Sequence, residues 1–134
     1  VYSFATGFTT FDLAVALNPA SDDLQTNAIA LSALSAATPT VFVTDSVNAT
    51  TDATDYYQFV LTSTSNVRID LSGMSSDADL VLEDINGRFI ASGFASANFI
   101  DSLTATALVA GTYLIRVRGV LSPTSYTLTT TIND

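Results

Sequence analysis

Apolar and polar residues alternate in one short run after another along this chain. A period of two puts one face of each run on a core and the other in water, so the pattern predicts β-strands. In the first run Phe11, Leu13, Val15 and Leu17 share a face, and Val41, Val43 and Val47 mark a second, shorter one. Tyr57, Phe59 and Leu61 then alternate against Gln58 and Thr62, and Val67, Ile69 and Leu71 against Arg68 and Asp70, the clearest pair in the chain. Leu80 and Leu82 continue the pattern to Asp84-Ile85-Asn86-Gly87, where the Asn-Gly dipeptide predicts a tight hairpin turn with Phe89 to Phe94 as its return strand. A strand near Phe99 to Ala107 follows. Ala110-Gly111 then turns the chain into Thr112 to Arg118, and Ser125 to Ile132 is the last run.

Eight or nine short strands punctuated by turn residues imply an all-β fold, a β-sandwich or jelly roll of antiparallel strands, with the first run as an extra N-terminal strand. One segment stays open between two readings. From Asp22 to Ala37, Leu24, Ala28, Leu31 and Ser35 have helical spacing behind Ser21 or Asp22 as a cap, while the Thr and Ser content suits an extended run. There is no internal repeat and, with six glycines, no glycine-rich calcium nonapeptide. The organisation read from this pattern is a strand extension and proline hinge over residues 1–20, then one sandwich domain over 21–134.

Composition narrows the chemistry. At 134 residues, 48% of them apolar, the chain can bury the core of one domain, so the net charge of −9 describes a soluble surface rather than a disordered acidic tail. That charge excludes nucleic acid and anionic membrane as partners, because both are met through basic patches. A divalent cation suits it better. His, Cys, Lys and Trp are all absent. The usual general base, the thiolate and the Schiff-base amine go with them, so Ser and Thr have no evident activating group and the chain reads as non-enzymatic. A pair of carboxylates could still run glycoside hydrolysis, but a small sandwich without Trp lacks the sugar-stacking platform. No apolar stretch approaches the ~20 residues of a membrane span. The opening on Val1, without a charged leader region, is read as a mature secreted product, although an excised piece begins alike.

Five stretches in order carry a family resemblance: DATDYYQFVL (52–61), VRIDLSG (67–73), DADLVLEDING (77–87), LVAGTYLIRV (108–117) and TSYTLT (124–129). From about Asp22 to its end the chain resembles the bacterial pre-peptidase C-terminal domain family, a secreted β-sandwich often attached to exported proteases and other hydrolases. The related collagen-binding domains of clostridial collagenases bind calcium near the start of the domain. The resemblance implies calcium as the candidate cofactor here, with Asp52 and Asp55 matching the acidic pair and Asp22 and Asp23 lying where the upstream ligands fall. The longer acidic run of those relatives is missing from this sequence. Collagen binding is not carried over, because their aromatic contact surface has no counterpart motif.

Calcium takes six to eight oxygens, which clustered Asp residues on loops supply. Asp77, Asp79 and Asp84 form a second acidic group. Against both stands the plainer role of Asp in turns, bonding nearby backbone N–H groups. Asn48-Ala49-Thr50 matches a glycosylation sequon, a triplet that arises by chance in Thr-rich chains.

The first seventeen residues precede the usual start of the family domain, and they are not linker-like. Tyr2, Phe4, Phe8 and Phe11 are four of the thirteen aromatics, and Leu13, Val15 and Leu17 extend the apolar face. Asn18-Pro19 stops the run and acts as a hinge. Such a strand either folds back as an edge strand of its own sandwich or enters a neighbouring subunit. Head-to-tail entry does not close, so it builds a filament. The reading adopted is an extracellular, self-assembling structural subunit; the alternative is an accessory module of a secreted hydrolase that binds calcium or an extracellular matrix polymer.

Overall fold

The computed structural model describes residues 24–93, 100–120 and 122–133. The N-terminal run, with Phe4, Phe8, Phe11, Leu13, Val15, Leu17, the Asn18-Pro19 hinge, Asp22 and Asp23, lies outside the described residues. So does the part of the Phe89 to Phe94 and Phe99 to Ala107 runs that falls in 94–99.

Among the described residues nine strands follow one another: β1 Ile29–Ala30, β2 Thr40–Val47, β3 Thr54–Leu61, β4 Ser65–Ser72, β5 Ala78–Asp84, β6 Phe89–Gly93, β7 Asp101–Leu108, β8 Gly111–Gly119 and β9 Thr124–Asn133. They form two sheets, a five-stranded one in the order β1-β3-β8-β5-β6 and a four-stranded one in the order β2-β9-β4-β7. The β-sandwich expected from the alternation is what forms. The segment left open resolves as neither a long helix nor a long strand. Gln25–Asn27 makes one 3-10 turn, and β1 then runs parallel to β3, the exception to the antiparallel rule. Thr and Ser at non-apolar positions leave that stretch with no continuous helical stripe to bury.

Period two holds where it was clearest. Tyr57, Phe59 and Leu61 of β3 are buried, as are Val67, Ile69 and Leu71 of β4, while Asn66 and Arg68 face solvent. Yet β3 and β4 are not hydrogen-bonded partners. β3 pairs with β8 and β4 with β9 and β7, so the connection 62–64 carries the chain from one sheet to the other. Tyr113, Ile115 and Val117 of β8 and Tyr126, Leu128 and Ile132 of β9 close the space between the sheets. Phe59 stacks on Tyr113 with ring centroids 5.7 Å apart. Burial of each such large apolar side chain contributes on the order of 1.5–3 kcal/mol.

The Asn-Gly turn takes a looser form than the tight hairpin expected. Gly87 N–H donates to the Asp84 carbonyl and Gly87 has φ +82°, so three residues, Ile85 to Gly87, form the loop. A register shift in β5 between Leu82 and Glu83 accompanies it.

Candidate functional site

Asp55 stands two residues before Tyr57 on β3 and therefore shares the inward face with Tyr57, Phe59 and Leu61. It is 1% exposed. The Tyr126 hydroxyl, from β9 in the other sheet, donates to Asp55 Oδ2 at 2.5 Å. That hydroxyl also lies 2.5 Å from the Tyr57 hydroxyl, which in turn donates to Asp45 Oδ2 at 2.9 Å. The result is a polar chain Asp45–Tyr57–Tyr126–Asp55 that crosses between the sheets three times. Burial, more than any neighbour, pushes both tyrosines well above the ordinary phenol range, so both stay neutral and act as donors. The arrangement latches one sheet to the other.

Asp52 sits just outside this chain. Its backbone closes a turn on Asn48, with Asn48 N–H donating to Asp52 O and Asp52 N–H to Asn48 O, both at 2.9 Å. Asp52 is 8% exposed and borders a shallow depression of about 380 Å³ with Asn48, Thr51, Ser75 and Thr124 among its walls. Neither Asp52 nor Asp55 is without a partner. Among the described residues no group of three or more carboxylates gathers to hold a metal ion. Asp22 and Asp23, the other two candidates, lie outside the described residues. Asn48 of the sequon turns its side-chain oxygen onto Thr50, accepting from the backbone N–H at 3.1 Å and from the hydroxyl at 2.9 Å.

The second acidic group is not brought together. Asp77 precedes β5 and Asp84 ends it, a separation of roughly 20 Å along an extended strand. Asp84 Oδ1 accepts from Asn86 N–H at 2.8 Å and Arg88 N–H at 3.0 Å, the ordinary work of an Asx turn. At the other end, burial raises the Asp79 carboxyl, Asp77 adds to the rise, and Arg118 opposes it.

Asp45 and Tyr126 were missed in the sequence reading. Tyr126 carried a signal, since it shares parity with Leu128 and Ile132 and so had to bury a hydroxyl that needs a partner. Which partner it would meet, 71 residues away, was not readable.

The family model of the bacterial pre-peptidase C-terminal domain matches residues 53–119, half of the chain, a span that includes Asp55 and runs from β3 through β8. This chain belongs to the bacterial pre-peptidase C-terminal domain family. It is similar in structure to the pre-peptidase C-terminal domain of a collagenase from Bacillus anthracis, at 22% identity and a TM-score of 0.57, over 77% of this chain and 93% of that one. It is also similar to PliG of Aeromonas hydrophila, a periplasmic inhibitor of g-type lysozyme, at 14% identity and a TM-score of 0.58, over 78% of this chain and 96% of that one. At these identities the likeness is one of fold. No curated protein matches. Among the described residues no helix is long and apolar enough to cross a membrane. For this pre-peptidase C-terminal domain, Asp55 is thus a family-span residue spent on the inter-sheet latch, and Asp52, one position upstream of the matched span, is the acid that borders open space.

Proposed function

We propose that this chain is a non-enzymatic, extracytoplasmic structural subunit that polymerises by donating its N-terminal strand to the next copy. One observation carries the reading. Among the described residues twenty buried apolar side chains form one cluster spanning both sheets, and the sequence carries a further apolar face outside them. That face, Phe11, Leu13, Val15 and Leu17 with Phe4 and Phe8 ahead of it, needs an apolar surface to lie against. Three or four such side chains buried in a joint contribute on the order of 1.5–3 kcal/mol each. With no Cys and no Lys in this sequence, neither a disulfide nor a lysine isopeptide bond is available to the joint. An extracytoplasmic setting fits the bacterial family and the periplasmic inhibitor that shares the fold.

Deleting Val1 to Leu17 tests it. The expected product is a folded monomer, read by circular dichroism and light scattering, that forms no filaments in electron micrographs while the full chain does. Filaments persisting in the deletion would falsify strand donation.

A second reading rests on Asp52, an acid beside an open depression, together with the calcium that the family resemblance implies near the start of the domain. In it the chain is an accessory module that takes calcium or a matrix polymer. The expected result is a thermal midpoint lower by several degrees after chelation, since a ligand at 100 times its Kd adds about 2.7 kcal/mol. An unchanged melt with and without chelator removes it.

A further inference from the structure

Resting on the strand-exchange reading, we infer that the acceptor is the seam of the sandwich beside β2 of a second copy, with Phe8 to Leu17 of the donor pairing to the outer edge of β2. Among the described residues four strands end the two sheets, and three of them are unsuited to a partner. β1 has two residues and serves as a cap on β3. β6 has five, its ladder is shifted against β5, and it lies close to β7: a Cβ on Gly93 would come within 2.7 Å of the Ser102 carbonyl oxygen. β7 is long enough, but its inward Leu103 and Ala105 are already 4% and 8% exposed, so a strand added there would cover no further core.

β2 differs on each count. It runs eight residues and, among the described residues, is paired on one side only, to β9. Its inward Val41 and Val43 are half-buried against the core, and Ile29 and Leu31, at the edge of the opposite sheet, are half-buried against the same core. Contact of the kind that closes β6 onto β7 does not join β1 to β2. Among the described residues the sandwich is therefore shut on one flank, while the other carries an aliphatic lip on both sheets that none of them closes. β2 also lacks the usual guards of an exposed edge. It has no Pro and no Lys, and its one charge, Asp45, is turned onto the Tyr57 hydroxyl.

A strand paired to β2 would send every second side chain into that seam, which is the spacing of Phe11, Leu13, Val15 and Leu17. Asp12, Ala14 and Ala16 would continue the outer face, in line with the exposed Phe42, Thr44 and Ser46. The step from Leu17 to Leu24 spans at most about 25 Å fully extended, a tether that sets donor and acceptor domains side by side. The partner is thus a second copy of this chain, joined by main-chain hydrogen bonds for affinity and by alternate apolar side chains for register.

The chain has no native Cys, so paired cysteines report the joint directly. In the full-length protein Thr44→Cys on β2 is combined in turn with Asp12→Cys, Ala14→Cys or Ala16→Cys, and a matching set uses Thr104→Cys on the exposed face of β7. The three donor positions sample register, because bridged residues need Cβ atoms about 3.5–4.5 Å apart. After oxidation under polymerising conditions, a ladder of disulfide-linked multimers on a non-reducing gel is expected from one Thr44 pair and from no Thr104 pair. A ladder through Thr104 alone, or filaments without any disulfide, overturns the β2 acceptor and leaves strand exchange standing. A disulfide at Thr44 confined to monomers places the strand on its own copy and overturns exchange itself; neither filaments nor disulfides overturns both. Val43→Asp, at a half-buried position, is expected to keep the circular dichroism of the fold and to lose filaments. A folded, still filamentous Val43→Asp sinks the seam.

Discussion

Replacing Tyr126 by Phe keeps the ring in the core and removes one oxygen. That oxygen donates to Asp55 Oδ2 and touches the Tyr57 hydroxyl, both at 2.5 Å. A hydrogen bond to a charged group contributes about 1.5–3 kcal/mol net, and the buried carboxylate left without this donor places the expected cost at about 2–3 kcal/mol. Tyr57→Phe removes the same number of contacts at lower cost. Its acidic partner, Asp45, is only half-buried and can turn to water, whereas Asp55 at 1% exposure has no such route. About 1–2 kcal/mol is expected for Tyr57→Phe. Urea unfolding of the two variants and the parent decides the matter. With a slope of about 1–3 kcal/mol per molar, Tyr126→Phe should lower the midpoint by about 1–2 M, at unchanged slope. A cost below about 0.5 kcal/mol, or a Tyr57→Phe penalty equal to or above that of Tyr126→Phe, would show that the buried carboxylate does not depend on this hydroxyl.

The same tyrosines predict an alkaline limit. Both have folded-state pKa values raised by burial, so their contribution is complete below the unfolded value near 10 and is lost as pH rises above it. Stability should fall by about 1.4 kcal/mol per pH unit for each of the two above pH ~10, with the tyrosinate absorbance of Tyr57 and Tyr126 appearing only as the protein unfolds. Tyrosinate signal from these two residues in a still-folded protein contradicts it. Gly93→Ala should cost more than about 1 kcal/mol, because its new methyl group meets the Ser102 backbone rather than a flexible side chain. A thermal midpoint within a degree of the parent would mean that β6 can move off β7.

What the amino-acid order determined by itself was the run of strands and the inward side of each. That is a local property: a pleated strand turns alternate residues to opposite faces whatever it pairs with, so Tyr57, Val67 and Ile115 declared their side without reference to a partner. The same parity put Asp55 and Tyr126 inside. Tertiary structure alone decided the pairing, since alternation says that a face is buried but not against what. It sent the adjoining β3 and β4 into different sheets, set Tyr126 over Asp55 rather than over any other acid, and parted Asp84 from Asp77 by the length of a strand. It also chose which flank of the sandwich closes. Gly93 lets β6 meet β7, while two residues of β1 leave Val41 and Val43 half-covered, a difference of backbone proximity that no single run of sequence contains.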